Sequence, residues 1–379
     1  MSIELMPHQV AGVAFLKDCD SALLHWDMGT GKTYPTVAAF GDVLEDGVVV
    51  WIGPAVSRRN VAREIEAVHG SRFTTKVIEK GSDKLEGADV YILSYDLVTR
   101  DTVLERLFNL SIDVLVLDEV HYLKSHKAKR TTRILGHQGL AARSKYVWGL
   151  TGTPCPNHIG EIFPWVHSRH PEVIATRSGR PMGYFQFVDA FCQQVETPFG
   201  NRIVGSKVEE GGALWDALTD VVDTVKKEDV LHDLPPVRFA QVEVAGDKTA
   251  REVRALEDEY REQLDAVIAG TQGFDTLEMH LTTLRRATEM CKVGDAIDML
   301  RGELECGAVQ KVVVFANFID SIEALLEGLK DFGARGIHGS VTPKKRQDAI
   351  DGFQAMEEFR VIIGQTLAAG TAITLHANG

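Results

Sequence analysis

Four short apolar runs set the strongest limit on the fold: "VVVWIG" (48–53), "DVYILSY" (89–95), "IDVLVLDE" (112–119) and "KYVWGLTG" (145–152). A strand with one wet face alternates apolar and polar residues, whereas these are nearly continuous, as in a parallel sheet covered on both faces. The stretches between them carry helical spacing. In "SRRNVAREIEAV" (57–68), Val61, Ile65 and Val68 share one face, and "TVAAFGDVL" reads as another helix. Strands alternating with helices predict a doubly wound α/β domain.

At 379 residues there is room for two domains, at about 150 residues each. Residues 160–235 lose the alternation and read as a partly helical insertion ending at "DLPPV". A short strand is expected in "RFAQVEVAG", then helical composition from 248 to about 305. A second α/β run follows: the strand "KVVVFAN" (311–317), the helix "IDSIEALLEGL" and the strand "RVIIG" (360–364). No apolar run nears the roughly 18 residues that span a bilayer, and "MSIELMPHQV" lacks a signal-peptide pattern. The five scattered cysteines read as reduced thiols of a cytoplasmic protein.

The chemistry starts at "LHWDMGTGKT" (24–33), between the apolar run "SALLH" and a helix. Glycines let the backbone curl until successive N–H groups face an anion, and the helix start adds its positive dipole end. Met28, Gly29, Thr30 and Gly31 would cradle phosphate, Lys32 reach the outer phosphates, and the Thr33 hydroxyl hold Mg²⁺. Trp26 stands where the strict pattern has its first glycine, and Pro35 falls in the first helical turn, where a missing N–H costs little. In "LVLDEVHYLKS" (115–125) a strand ends in Asp118 and Glu119, followed by His121. Strand ends of a parallel sheet open on one edge, so the loop and the acids should meet there. Asp118 would hold Mg²⁺ through water and Glu119 would polarise the attacking water.

"DEVH" followed downstream by "LTGTP" is similar to motifs II and III of superfamily-two helicases, and the ordered series resembles their Swi/Snf-type branch of double-stranded-DNA translocases. "LMPHQVAGVAFL" resembles the family's opening segment, which implies that Gln9 reads adenine. "GPAVSRRNVAREIE" and "ILSYDLVTR" resemble motifs Ia and Ib, and "LTGTPCPN" matches motif III to Asn157. "KKEDVLHDLPPV" is similar to the segment that closes the first lobe, "KVVVFANFIDSIEALLEGL" to motif IV, and "IHGSVTPKKRQDAIDGF" to the element after it. The resemblance implies a P-loop NTPase of two RecA-like parallel-sheet lobes with ATP in the cleft between them. Residues 1–159 form the ATP-binding lobe, 160–237 an insertion and the closure of that lobe, 238–305 a linking strand and helices, and 306–379 a partial second lobe. His121, Thr151, Gly152, Thr153 and Gly370 would couple nucleotide to motion. In "LAAGTAITLHAN", Ala369 and Ala372 replace the usual motif V glycines. No arginine follows Arg360, so the reading takes the second lobe as incomplete and expects a further segment or a partner to supply the motif VI arginines.

The 41 basic and 54 acidic residues leave −13, which excludes coating nucleic acid by bulk charge but not a local basic track. The densest candidate is "KSHKAKRTTR" (124–133), with Lys124, Lys127, Lys129, Arg130 and Arg133 directly after the acids. Arg58 and Arg59, then Lys344, Lys345 and Arg346, would extend it, and Asn157 joins the DNA contacts. His167 and His170 with Cys192 lack paired metal-ligand spacing and read as surface histidines. The expected function is ATP-dependent translocation on duplex DNA, in a bacterial or phage-infected cytoplasm or a nucleus, with a recruiting protein as a further partner. Three alternatives stay open: an RNA helicase, a restriction-enzyme motor subunit, and a nucleotide-binding interaction module without turnover.

Overall fold

The computed structural model describes residues 4–197, 200–233, 238–243, 248–268 and 274–366. The chain divides into two compact units, Met1–Pro235 and Pro236–Gly379. Unit 1 is built on seven parallel strands, among them β1 (Ser21–Trp26), β2 (Val48–Gly53), β3 (Thr75–Val77), β4 (Val90–Ser94), β5 (Ile112–Asp118) and β6 (Ser144–Thr151). An antiparallel hairpin, β7 (Cys192–Thr197) and β8 (Gly200–Ser206), stands apart from this sheet. The seventh strand is β9 (Val222–Val225), and the order is β3-β4-β2-β5-β6-β1-β9.

Because successive strand residues point to opposite faces, each apolar run feeds two cores at once. Leu23, Val50, Ile52, Leu115 and Leu117 enter one cluster, while Leu24, Val49, Trp51, Val114 and Val116 enter the other. Helices cover both faces. Pro7–Asp18 packs on Thr33–Val43, and Gly12 lets it lie against β1, since a Cβ there would lie 2.7 Å from the buried Trp26 ring.

In unit 2 the helices Lys248–Ile268 and Phe274–Glu305 precede β10 (Val312–Ala316), β11 (Arg335–Ile337) and β12 (Val361–Gln365), parallel in the order β10-β12-β11. Leu300, Leu304, Ile322, Leu329 and Ile363 form its larger core, and Ile337, Phe353 and Ile362 fill the opposite face.

Two details differ from the sequence reading. Residues 238–243 pair with no strand, and Phe239 is 94% exposed, so the expected linking strand is not formed over those residues. Alternation alone makes no strand without a neighbour to complete the backbone hydrogen bonds. β9, inside the presumed insertion, instead pairs with β1 and becomes the edge of the main sheet. Gly370, Ala369 and Ala372 lie outside the described residues.

Candidate nucleotide site

The loop after β1 turns at two glycines in the left-handed region, Gly29 (φ 86°) and Gly31 (φ 77°). Trp26 precedes the turn, still paired with Val225 of β9, and its indole Nε1 donates to Asp223 Oδ2 of that strand at 2.8 Å. A large residue fits here because the chain has not yet bent. Gln9 is only 6% exposed and supports the loop from outside: its Oε1 accepts from Met6 N at 2.9 Å, and its Nε2 donates to Thr30 O at 3.4 Å and Gly31 O at 3.3 Å. A Cβ on Gly31 would lie 2.4 Å from that Nε2. The Gln9 amide is therefore engaged with the loop backbone in this state.

Lys32 Nζ donates to Trp26 O at 2.9 Å and Asp27 O at 3.2 Å, which holds the ammonium beneath the loop. Burial lowers its pKa, opposed by Glu119, Asp118 and Asp27 in that order. Loop lysine and paired acids thus share one site, at the carboxyl ends of β1 and β5. The strands are not adjacent, because β6 runs between them. Thr151 and Gly152, at the end of β6, are consequently held between loop and acids. A Cβ on Gly152 would lie 3.3 Å from both Met28 Cγ and Trp26 O, so the β6 turn passes close against the loop.

Burial, and then the neighbouring Glu119, push Asp118 up to about 7, against the pull of Lys32. Glu119 has φ 54°, the one non-glycine residue at positive φ among those described. A left-handed conformation costs a non-glycine residue on the order of 1 kcal/mol and persists where the surroundings enforce it. His121 Nδ1 lies 3.0 Å from Thr151 Oγ1 and 3.3 Å from Glu119 Oε2. Glu119 Oε2 is buried and makes no hydrogen bond. Thr151 Oγ1 also accepts from Thr153 N at 3.1 Å, joining these three motif residues.

Glu64 was not singled out from the sequence. Burial pushes it up to about 7, and the Thr33 hydroxyl, hydrogen-bonded to it, pulls the other way. Its position was a legible signal: three residues after Val61 and four before Val68, it puts a carboxylate on the apolar face of its helix. Asp118 and Glu119 act on Lys32, and Glu64 acts on Asp118, an excess of negative charge that fits a divalent cation. Glu64→Gln is expected to stabilise the nucleotide- and metal-free chain. A carboxyl raised above its unfolded value favours folding below about pH 4.5 and loses that contribution as pH rises through about 7. The gain from Gln should be near zero at about pH 4.5 and on the order of 3 kcal/mol at about pH 8. Thermal melts of both chains across that range check it; a pH-independent difference contradicts it.

The basic residues after the acids are largely engaged locally. Lys124 Nζ pairs with Glu161 Oε1 at 2.9 Å, and Asn157 binds the same carboxylate through N at 2.9 Å and Nδ2 at 2.7 Å. Burial alone would raise Glu161, but Asn157 and Lys124 outweigh it and hold it below the usual range. Glu161, missed in the sequence, thus ties the end of motif II to the end of motif III. Arg130 lies 5.7 Å from the Tyr122 ring centroid, and Arg133 pairs with Asp101. Lys127 is exposed, Lys129 is 3.9 Å from Asp101, and Arg59 pairs with Glu79 at 2.7 Å. Arg58 is turned onto the Ala55 and Ile78 carbonyls. In unit 2, Lys344, Lys345 and Arg346 occupy the first turn of the helix Pro343–Ala355, against its dipole. His167 is exposed, but His170 is buried at 5% exposure, so the expectation of two surface histidines holds for one. Among the described residues no cluster of three or more potential ligands could hold a metal by itself, and no helix is long and apolar enough to cross a membrane.

The SNF2-related domain profile matches residues 8–292, and the helicase conserved C-terminal domain profile matches 295–378. The chain is 26% identical over 389 residues to the DNA annealing helicase and endonuclease ZRANB3 of Bos taurus, covering 99% of this chain and 35% of that protein. It is 26% identical over 398 residues to the SWI/SNF-related matrix-associated actin-dependent regulator of chromatin subfamily A-like protein 1 of Drosophila melanogaster, covering 99% and 48%. The chain thus spans between a third and a half of the length of these relatives. Among solved structures, the Sulfolobus solfataricus SWI2/SNF2 ATPase core in complex with dsDNA has a TM-score of 0.50 at 19% identity, over 96% of this chain and 78% of that one. That likeness concerns the fold, an ATPase core of two RecA-like lobes.

Proposed function

Since the chain belongs to the SNF2-related family, we propose that it is a motor ATPase that couples ATP hydrolysis to movement along duplex DNA. The observation that carries this reading is the convergence of Lys32, Asp118 and Glu119 at one edge of the sheet, with Thr151–Gly152 held between loop and acids. A phosphate loop alone binds nucleotide; a loop beside an acid whose buried oxygen accepts no hydrogen bond can also activate water.

In this mechanism the loop backbone and Lys32 hold the β- and γ-phosphates, and Lys32 exchanges its carbonyl partners for phosphate oxygens. Thr33 and Asp118 would hold Mg²⁺, which when bound offsets phosphate charge and orients the terminal group. Glu119 Oε2, buried without a hydrogen bond, accepts the proton of the attacking water. His121 touches both Glu119 and Thr151 and is placed to report the state of the acid to motif III. From there, Asn157 and Lys124 share Glu161, a physical link towards the basic stretch that would meet DNA phosphates.

Grip through phosphates rather than bases suits a motor that steps along any sequence. Gln9 would turn from the loop carbonyls to adenine when nucleotide enters. A recruiting protein would set the site of action. The place of action is where duplex DNA is exposed, a bacterial or phage-infected cytoplasm or a nucleus. ATP hydrolysis measured without nucleic acid, with duplex DNA and with RNA tests the reading. Stimulation by duplex DNA is expected; stimulation by RNA only, or ATP binding with no turnover on any of them, overturns it.

A further inference from the structure

We infer that Lys227 is a second phosphate-facing cation, contributed by the segment after β9, and that it makes the site prefer a nucleoside triphosphate over a diphosphate. The inference rests on the reading that nucleotide occupies the loop at 27–33.

Residues 225–227 lie alongside the loop. Val225 is in register with Trp26 across the β1–β9 pair, and its carbonyl accepts from Asp27 N at 2.9 Å. The backbone N–H of Lys227 then donates to Asp27 Oδ2 at 2.8 Å, which fixes the start of its side chain. That side chain runs back over Gly29. A Cβ on Gly29 would lie 3.8 Å from Lys227 Nζ and 3.9 Å from Cε, with no other residue beyond its chain neighbours within 4 Å. The ammonium is exposed, and among the described residues no carboxylate pairs with it.

The two loop ammoniums are therefore placed differently. Lys32 lies beneath the turn, bonded to the Trp26 and Asp27 carbonyls. Lys227 lies at the rim, against the glycine at the crest. A cation at the rim meets the phosphate that projects furthest, so its attraction is gained by ATP and largely absent with ADP. A surface lysine would ordinarily be a freely rotating solvated charge. This one is anchored by its own backbone to the loop's Asp27, and the loop crest it covers has no side chain of its own. Lys227 also sits eight residues before the boundary between the two units, so a charge that responds to the terminal phosphate is attached directly to the connecting chain.

Titration calorimetry of wild type, Lys227→Gln, Lys227→Arg and Lys32→Ala with ATP and with ADP, each with Mg²⁺, tests this. Loss of one charge-assisted contact corresponds to about tenfold in affinity. Lys227→Gln is expected to weaken ATP by that factor and ADP by less than about twofold, and Lys227→Arg to restore the preference. Retained ADP affinity shows that the site is still folded. Equal losses for both nucleotides, or none, overturn the inference. Unchanged ATP affinity in Lys32→Ala removes the loop reading itself, an outcome visible in a different chain from the Lys227 result.

Discussion

Lys32→Ala is expected to lower ATP affinity by about 100-fold and to abolish hydrolysis at ordinary nucleotide concentrations. A hydrogen bond to a charged group is worth about 1.5–3 kcal/mol, and the upper part of that range applies where the ammonium is buried and has several acceptors. The substitution also strips the Trp26 and Asp27 carbonyls of their donor, so the loop loses its internal strut as well as its phosphate ligand. Calorimetry with ATP and Mg²⁺ gives the affinity, and a thermal melt separates loss of ligand contact from loss of fold. Wild-type affinity in this variant would remove the assignment of the loop.

Glu119→Gln should give the opposite pattern: ATP and duplex DNA bound near wild-type strength, with turnover reduced by about 10³-fold, within the range of a lost general base. Gln keeps the shape of the side chain and pays the same conformational cost at φ 54°, so the strand end should remain in place. The buried Oε2 position survives, but it can no longer take a proton. Single-turnover hydrolysis with duplex DNA present checks this, beside ATP calorimetry on the same protein. Hydrolysis at the wild-type rate would contradict the role given to Glu119 and return the reading to a binding module.

The main sheet was legible because its evidence is local. "VVVWIG", "IDVLVLDE" and "KYVWGLTG" are buried on both faces, and that burial is written into consecutive residues. The loop was legible for a similar reason, since Gly29 and Gly31 occupy backbone conformations that other residues avoid. β9 escaped notice because "VDTV" is short and half polar, and only β1 makes it a strand. The error over 238–243 is the converse, a strand-like pattern with nothing to pair against. Glu161 looked like one more acid in the insertion until folding put Lys124 and Asn157 on either side of it. The same folding gives several candidate DNA cations, among them Lys124, Arg133 and Arg59, a carboxylate partner within the chain. Contact with DNA phosphates by these residues would therefore involve exchanging partners rather than presenting free charges.

The amino-acid order by itself determined which segments become buried parallel strands, where the glycine turn falls, and that two acids end the strand ahead of His121. These features depend on neighbours a few residues away, through side-chain period, glycine torsions and helix starts. Only the tertiary structure decided that β6 separates the loop strand from the acid strand, that Glu64 joins Asp118 and Glu119, and that Lys227 reaches the loop crest. Those are contacts between residues tens to hundreds of positions apart, set by the order of strands in the sheet. No local pattern encodes that order, because the same short strand can pair on either side until the cores on both faces are filled.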